Sequence, residues 1–335
     1  MLNSHLKRVG LTCLGVVAFL GIADAEAAAK TVLDVAMVWP EDNYHTKNAK
    51  RFAAEVEKAT NGNVVLKIHS GGDLGLKGPE LLRSVRDGIV PMAHMLITQQ
   101  VGDAPFLGIE SLPFLTRSFK DEEILLKHAW PEYEKIAAKF NQKFLYAVPW
   151  PGQGVFANKE INSAADLKGL IIRTIDQNGT KFFAALGAAP VQMPWGEVLP
   201  ALATGAIKGV TTSSSSGVDG SLWELVSHFS RVNWQQSSDI MSINLNSWKA
   251  LSESDRKAIE KVAARLQPEF WAAAAEMDER NTELLASKGM KVTTVSDAFA
   301  RELEEAGKPI WQEFINKVGG SSKQIIADYL KETGR

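Results

Sequence analysis

Residues 31–70, TVLDVAMVWPEDNYHTKNAKRFAAEVEKATNGNVVLKIHS, decide the fold class because two kinds of periodicity alternate within them. Residues 31–39 show the β-branched alternation of a strand, and turn residues follow at once. Residues 46–60 repeat apolar side chains at helical spacing, and residues 63–70 form a second strand pattern. A strand, a helix and a strand in this order predict a βαβ unit with parallel strands, and therefore an α/β fold.

Similar units follow along the chain in two series. The first series continues with a helix at 79–87 and a strand at 89–96. The second contains a strand at 169–174, a helix at 180–186, an extended segment at 189–194, a helix at 197–204 and a strand at 206–212. The Pro- and Gly-rich segment PWPGQG, residues 149–154, separates the two series. This arrangement predicts two α/β lobes with a crossing point at that segment.

A long helical pattern covers residues 252–288. Ser252 and Asp255 stand in capping-box spacing at its start, and Gly289 follows its end. At 1.5 Å per residue such a helix is roughly 55 Å long, which exceeds the width of one lobe, so it should contact both. Pro268 lies midway and is expected to kink it.

These patterns predict a division of the chain into lobes. Lobe I should comprise residues 29–150 and 238–270, and lobe II, which carries Arg173, residues 151–237 and 271–320. Residues 321–335 should form a C-terminal helix or tail.

The first 28 residues resemble a secretory signal peptide. Lys7 and Arg8 precede an apolar run at 9–22, and the small residues ADAEAAA follow. A membrane anchor is the alternative, but the run falls short of the roughly 20 apolar residues that span a bilayer. We therefore expect cleavage near residues 25–28 and an exported mature protein. The single cysteine, Cys13, lies inside this segment, so the mature chain should contain no disulfide and no cysteine metal site.

Composition and motifs exclude several classes of function. Lys plus Arg (37) nearly balance Asp plus Glu (39), and no basic patch interleaves with aromatic residues, so nucleic-acid binding is not expected. No zinc-protease, serine-hydrolase, Walker or dinucleotide-binding motif occurs. The six histidines are scattered without metal-ligand spacing and are expected on the surface or in the core: His5, His45, His69, His94, His128 and His228. Neither a cofactor nor a metal site is predicted.

Arg173 interrupts the apolar strand LKGLIIRT, residues 167–174, near its carboxyl end. A guanidinium beside a core needs an anionic partner. Ligands of α/β sheets bind beyond the carboxyl ends of the strands, where an arginine fork fits a ligand carboxylate. An internal salt bridge, for instance to Asp176, explains the residue equally well.

Other polar and aromatic residues lie at strand ends and in loops. Gln153 belongs to the crossing segment, and the hydroxyl run TTSSSSG, which contains Ser213 and Ser214, follows a strand. These hydroxyls either contact polar groups of a ligand or form a solvated loop. Trp195, in MPWGEV, either stacks on a ligand or belongs to the core, and Trp39 leaves the same alternatives open.

Several segments together resemble the DctP-type substrate-binding proteins of TRAP transporters. They are GGDLG at 71–75, SLPFL at 111–115, SAADLKGLIIRT at 163–174, ALGAAPVQMPWGEVLPALATG at 185–205, and the long helix followed by GMKVTTV. The resemblance implies a two-lobed α/β periplasmic-binding-protein (Venus-flytrap) fold with crossing strands. It also implies a monomeric periplasmic protein, not an enzyme, that closes over an organic acid and delivers it to small and large TRAP membrane subunits. Presentation of the ligand to a sensor or to another transporter is the alternative.

The resemblance also assigns residues. Arg173 matches the arginine of the D-L-K-G-x-x-I-R pattern, which pairs with the ligand carboxylate, and Trp195 matches the aromatic residue that lies against the ligand. Two positions depart from the commoner pattern: Gln153 stands where many members have a second arginine, and residues 208–214 replace a stretch with a ligand-binding asparagine.

One cationic anchor favours a monocarboxylate with an uncharged remainder. The candidate lining is Trp39, Trp150, Trp195, Phe156 and Trp223 with glutamine and serine donors between them, so we expect an aromatic or bulky apolar acid. An aliphatic keto or hydroxy acid and a sugar acid are the alternatives. Ligand should dock on Arg173 first, and lobe I should add contacts near Trp39 and residues 95–99 on closure.

Overall fold

The computed structural model describes residues 30–335. The predicted signal peptide, residues 1–28, and Cys13 lie outside the described residues. Within the described part, no helix is long and apolar enough to cross a membrane.

Strands and helices alternate along most of the chain. The strands are β1 (Thr31–Met37), β2 (Val64–His69), β3 (Met92–Leu96), β4 (Gln142–Pro149), β5 (Gly154–Ala157), β6 (Ile171–Thr174), β7 (Ala189–Gln192), β8 (Gly209–Thr212), β9 (His228–Arg231), β10 (Ser238–Asn244) and β11 (Lys291–Thr294). The helices are α1 (Tyr44–Ala59), α2 (Leu81–Arg86), α3 (Phe119–Lys139), α4 (Ala164–Leu167), α5 (Gln177–Ala185), α6 (Val198–Ala203), α7 (Ser214–Asp219), α8 (Leu245–Ala250), α9 (Glu253–Ser287), α10 (Asp297–Val318) and α11 (Ser321–Glu332).

A five-stranded sheet in the order β2-β1-β3-β10-β4 forms the centre of what we call lobe I. Strand β1 pairs in parallel with β2 and β3, which confirms the βαβ unit predicted from residues 31–70. Strand β10 enters between β3 and β4 and is antiparallel to both. Helices α1 and α9 pack on each other and cover one face of this sheet, whereas α2 and α3 pack on its opposite face.

A six-stranded sheet in the order β11-β9-β5-β8-β6-β7 forms the centre of lobe II. Strand β6, which carries Arg173, is parallel to both of its neighbours, β7 and β8. Strand β5 is antiparallel to β8 and β9. The prediction of two α/β lobes is therefore confirmed, while the residue boundaries assigned to the lobes stay a prediction.

Two segments, residues 150–153 and 232–237, cross between the lobes side by side. The Trp150 amide donates to the Ser237 carbonyl at 2.7 Å, and the Gln153 amide donates to the Gln235 carbonyl at 2.9 Å. In the other direction, the Trp234 amide donates to the Gln153 carbonyl at 3.2 Å. The segment PWPGQG thus crosses where the sequence places it, and its partner segment satisfies its backbone groups.

Two buried carboxyl groups lie beside this crossing. Glu110 accepts hydrogen bonds from the Ser238 amide at 2.5 Å and from the Tyr133 hydroxyl at 2.7 Å. Glu122 is equally buried, and neither of its oxygens has a hydrogen-bond partner among the described residues. Burial raises the pKa of Glu110 to about 7 and that of Glu122 well above its ordinary value, so the pair holds a proton near neutral pH.

Helix α9 extends over 35 residues and contains Pro268. The Ser252 hydroxyl accepts from the Asp255 amide at 3.0 Å and caps its start. The helix contacts α1 and β4 of lobe I and α7 and β11 of lobe II, which confirms that it touches both lobes. It also satisfies the edge of β4, because Gln267 accepts from the Ala147 amide and the Trp271 indole donates to the Ala147 carbonyl.

Candidate ligand-binding site

A cavity with an empty volume of about 290 Å³ lies between the lobes at the crossing segments. Lobe I and the crossing segments contribute Trp39, Leu96, Trp150, Gln153 and Ser237. Lobe II contributes Arg173, Ile175, Trp195, Thr212 and Ser216. Five of the residues proposed from sequence therefore meet in one place: Arg173, Trp195, Gln153, Trp39 and Trp150. Arg173 is the only basic residue among the ten.

Arg173 is 2% exposed and projects from β6, in register with Val191 on one side and Val210 on the other. Its Nε donates to the Met193 carbonyl at 2.9 Å, and its Nη1 lies 3.4 Å from the Thr211 carbonyl. Burial lowers the pKa of Arg173 to about 10, and the charge of Asp176 offsets part of that shift. Two carbonyl dipoles orient the guanidinium, but they do not neutralise it.

The alternative partner, Asp176, has a different task. Its Oδ1 accepts from the Gly179 amide at 2.9 Å and caps α5, as short polar side chains do at helix N-termini. Burial raises the pKa of Asp176 to about 6. Within residues 30–335 Arg173 forms no ion pair with this or any other carboxylate. The guanidinium therefore keeps its capacity for an external anion.

Two tryptophans form the lobe I wall of the cavity. The rings of Trp39 and Trp150 meet edge to face with centroids 4.7 Å apart, and both are almost fully buried. Both indole N–H groups donate to one carboxylate, that of Asp239, and the bond from Trp150 measures 2.7 Å. Because these donors are already occupied, the wall offers a ligand only its ring carbons.

Strand register explains why Asp239 reaches both tryptophans. Asp239 pairs directly with Leu96 on β3 and Val148 on β4, so residues two positions away, His94 and Trp150, share its face of the sheet. His94 Nδ1 lies 3.0 Å from Asp239 Oδ2. Burial alone would raise the pKa of Asp239, but the neighbouring imidazoles and the Trp150 N–H lower it below its ordinary value.

Two polar atoms of the cavity lining, both on the crossing segments, have no partner in the described chain. Gln153 Nε2 donates to the Pro151 carbonyl at 3.1 Å, whereas Gln153 Oε1 is buried and unpaired. The hydroxyl of Ser237 is likewise buried and unpaired. Both residues line the cavity that contains Arg173. Since buried polar atoms are rarely left without partners, these two are candidates for hydrogen bonds to a ligand.

Three other residues proposed from sequence lie outside the cavity lining. Phe156 stacks on Phe229 with centroids 4.1 Å apart in the lobe II core, beneath α7. Helix α7 passes so close that a Cβ at Gly217 would lie 2.5 Å from the Phe156 ring. Ser213 caps α7 through the Ser216 amide, and the Ser214 hydroxyl bonds to a carboxylate on α9 at 2.6 Å.

The hydroxyl run contributes different members instead. Thr212 at the end of β8 and Ser216 in the first turn of α7 line the cavity. Leu96 also lines it and falls within the segment 95–99 proposed for lobe I contacts. Trp223 packs partly buried in the lobe II core, with the Lys288 ammonium 5.6 Å from its ring centroid.

The cavity continues outward into a wider space of about 710 Å³ between the lobes. Trp39 and Trp195 line both spaces and so separate the inner cavity from the mouth. At the mouth Lys77 of lobe I forms an ion pair with Glu197 of lobe II at 2.8 Å. The lobes also touch through Asn43, which donates to Asp219 at 2.5 Å.

Two of the histidines treated as unrelated in the sequence lie together. His45, His94 and Asp239 can each offer a ligand atom, and these atoms all lie within 4.8 Å of one another. Burial lowers the pKa of His45 to about 3, so its imidazole is neutral. Both histidines lie in the core, as expected, but neither imidazole is fully hydrogen-bonded in the described chain. The group has no sequence spacing because α1, β3 and β10 bring together residues that are distant in sequence.

Comparison with known proteins places this geometry in a family. Residues 35–317 match the family model described as bacterial extracellular solute-binding protein, family 7 (DctP). The crystal structure of DctP7, a Bordetella pertussis extracytoplasmic solute receptor binding pyroglutamic acid, is 30% identical, covers 89% of this chain and 99% of its own, and superposes with a TM-score of 0.87. A marine-metagenome TRAP solute-binding protein specific for pyroglutamate is 32% identical, with 90% and 99% covered and a TM-score of 0.87. A solute-binding protein of Chromohalobacter salexigens is 24% identical over 94% of both chains.

The chain belongs to the DctP family of TRAP solute-binding proteins. It has the two-lobed periplasmic-binding-protein fold of its relatives, as the sequence resemblance implies. Proteins of this family are periplasmic, bind a small organic solute and serve membrane permease subunits.

Proposed function

We propose that this protein captures a small monocarboxylate of about the size of pyroglutamate by lobe closure and delivers it to the small and large membrane subunits of a TRAP transporter. It acts as a monomer in the periplasm and releases its ligand chemically unchanged. The observation that carries the proposal is Arg173, a buried cation in a cavity between the lobes with no carboxylate partner among residues 30–335.

The charge of the cavity limits the ligand to one carboxylate. Arg173 is the only basic residue in the lining, and Gln153, at the position where the family resemblance implies a second arginine in many members, is uncharged. A second ligand carboxylate would enter a buried site without a counter-ion, which costs several kcal/mol. Dicarboxylates should therefore bind much more weakly than monocarboxylates.

The size and polarity of the cavity favour a compact ring with one amide. The free space beside Arg173 is only about 290 Å³ even when the part open to solvent is included, so a compact ligand fits better than a large one. In pyroglutamate the lactam N–H could donate to Gln153 Oε1 while the lactam carbonyl accepts from the Ser237 hydroxyl, which satisfies both unpaired atoms. The two relatives at 30% and 32% identity whose structures bind pyroglutamate support this ligand class.

A flat aromatic acid is the second candidate, because three tryptophans line the cavity. Their rings would contact an aryl group, and the N–H groups of Trp39 and Trp150 are already bonded to Asp239. The small volume counts against anything as large as an indolyl acid.

Closure follows from the distribution of contacts between the lobes. Arg173, Trp195 and Thr212 all belong to lobe II and can hold a ligand while the cleft is open. Trp39 and Leu96 belong to lobe I and reach the ligand only on closure, so they supply the preference for the closed form. The Lys77–Glu197 pair then bridges the mouth.

The test is calorimetric titration of protein that has been unfolded, dialysed and refolded to remove copurifying solute. Pyroglutamate should bind, whereas L-proline, which has the ring without the lactam carbonyl, and L-glutamate, with a second carboxylate, should bind at least about 100-fold more weakly. Tight binding of indole-3-acetate would favour the aromatic candidate. Binding of glucuronate alone would overturn the compact-monocarboxylate proposal, and a ligand recovered in altered form would overturn the assignment as a binding protein.

A further inference from the structure

A group of polar side chains lies in the lobe I core behind the two cleft tryptophans. His45 comes from the first turn of α1, His94 from β3 and Asp239 from β10, and all three are fully buried. Their ligand atoms lie within 4.8 Å of one another, and His94 Nδ1 is 3.0 Å from Asp239 Oδ2. No motif in the sequence predicts this group, because it is assembled by strand register and helix packing.

The group has more hydrogen-bonding capacity than the surrounding protein uses. Neither Nδ1 nor Nε2 of His45 has a partner in the described chain, and Nε2 of His94 has none. Unpaired polar atoms in a core cost roughly 1–3 kcal/mol each, and a native fold keeps them where water, an ion or a function pairs them. The unused nitrogens of these two imidazoles beside one carboxylate therefore indicate that water or an ion is bound among them.

The charge of the group also calls for a cation. Asp239 is 0% exposed, and among residues 30–335 its only potential ion-pair partner is an imidazole, with no lysine or arginine in reach. Its other hydrogen bonds come from the neutral indoles of Trp39 and Trp150. A buried carboxylate without a neighbouring cation is unfavourable, so either an extra proton on an imidazole or a metal ion must neutralise it.

We propose that His45, His94 and Asp239 bind a divalent transition-metal ion, with Zn²⁺ as the best fit. Two imidazole nitrogens and one carboxylate oxygen are a ligand set that zinc accepts at about 2.0–2.2 Å, with a fourth position left for water. Calcium and magnesium prefer all-oxygen shells and do not match it. The indole N–H groups on Asp239 are the outer hydrogen bonds that orient a ligating carboxylate.

A metal ion would give His45 a bonding partner, whereas a proton on His94 would not. Protonation of His94 would strengthen one contact to Asp239 but would leave both His45 nitrogens unpaired. An ion among the three residues uses the lone pair of each imidazole and displaces the proton between His94 and Asp239. Since Asp239 also holds the indoles of Trp39 and Trp150, the same ion would rigidify the lobe I wall of the ligand cavity.

The experiment measures the metal content of tag-free protein. Because the site is fully buried, the protein is unfolded with chelator, refolded in excess Zn²⁺ and freed of loose ions by gel filtration. We expect about one equivalent of zinc per chain in the wild type and in His128→Gln, a surface histidine paired with Glu332, and almost none in His94→Gln. Refolding with Co²⁺ should give visible absorption of a four-coordinate site in the same variants.

Two outcomes overturn the inference. Wild type that holds less than about a tenth of an equivalent after refolding in zinc shows that a proton or water fills the group. His94→Gln that holds as much zinc as wild type shows that the ion binds elsewhere. If His94→Gln does not refold, anomalous scattering at the zinc edge from wild-type crystals decides, because only a peak among His45, His94 and Asp239 supports the site.

Discussion

Replacing Arg173 by methionine separates a ligand anchor from a structural ion pair. Methionine keeps an unbranched side chain of suitable length but removes the guanidinium. If Arg173 is the anchor for a ligand carboxylate, the variant should lose ligand binding but keep nearly all of its stability in the ligand-free form. If Arg173 served the fold, the variant would lose stability first.

The magnitude for the ligand-free protein is the difference of two opposing contributions. Burial lowers the pKa of Arg173 from 12.5 to about 10, which corresponds to roughly 3 kcal/mol against the buried cation. Its bonds to the Met193 and Thr211 carbonyls return roughly 2–4 kcal/mol. The change in the free energy of unfolding should therefore stay within about 2 kcal/mol. Breaking a buried ion pair would cost about 3–5 kcal/mol instead.

The magnitude for binding is larger. Truncating one partner of a buried charge pair costs about 2–5 kcal/mol, which corresponds to a loss of about 30- to 5,000-fold in affinity. The assays are calorimetric titration with pyroglutamate and guanidinium unfolding without ligand. Arg231→Met is the matched control, because Arg231 pairs with Asp278 and Glu279 on lobe II away from the cavity lining.

The reasoning fails on either of two results. Arg173→Met that binds pyroglutamate within about threefold of wild type means that the carboxylate is held elsewhere. Arg173→Met that loses more than about 3 kcal/mol without ligand means that the guanidinium has a structural partner. Arg231→Met should keep normal affinity in both cases.

Three further predictions follow from other contacts. Asp239→Asn leaves one acceptor oxygen for two indole N–H groups, so affinity should fall by about 5- to 150-fold with a change in tryptophan fluorescence, and unchanged titrations would contradict it. Ser214→Ala removes a bond to Asp278 outside the cavity, so calorimetry should show affinity within about twofold of wild type, and a larger loss would return Ser214 to the site. The free energy of unfolding of the wild type should fall as pH rises from about 4.5 to 7, because folded Glu110 and Glu122 hold protons that the unfolded chain releases. In urea unfolding, Glu122→Gln should show a weaker dependence of this free energy on pH. An unchanged dependence would refute the proton held by the pair.

The architecture was accessible from the sequence because it depends on local periodicity. Alternating strands and glycine stops predicted the two α/β lobes, and the cap at Ser252 with the stop at Gly289 predicted the bounds of α9 to within a residue. Helix α1 begins at Tyr44, two residues before the predicted start, because the Asn43 side chain accepts from the His45 amide and caps it. Asn43 can be recognised in the sequence as an N-cap residue, but the predicted start was placed at the first apolar residue of the helical repeat.

The site was partly accessible for the same reason. Arg173 stood out because a charged residue broke an apolar strand, and the fold confirms that it is buried without a carboxylate partner in the described chain. In the hydroxyl run, Ser213 lies outside the cavity lining because a serine at a helix start uses its oxygen as a cap. Ser216, which the sequence did not single out, lines the cavity. Phe156 lies in the lobe II core, where it stacks on Phe229. The alternation of a strand predicts which side chains share a face of the sheet but not whether that face borders the cleft or the core.

The group at Asp239 was beyond the reach of sequence patterns. Its members come from α1, β3 and β10, and only the antiparallel insertion of β10 beside β3 sets Asp239 diagonal to His94. A search for ligand spacing tests neighbours along the chain, and none of these residues is a neighbour of another. Register between strands that are distant in sequence is information that one sequence does not carry.

The division of contacts between the lobes gives affinity and closure separate physical origins. Under the proposed function, Arg173 would hold the carboxylate in the open and in the closed form, so its charge would contribute affinity but shift the equilibrium between the forms little. Trp39 and Leu96 would touch the ligand in the closed form alone, and the bond to Asp239 already fixes the ring of Trp39. A ligand that fits Arg173 but leaves a gap at Trp39 would therefore bind without closing the cleft. Discrimination among monocarboxylates for transport accordingly rests on the lobe I wall, and the arginine selects only the class.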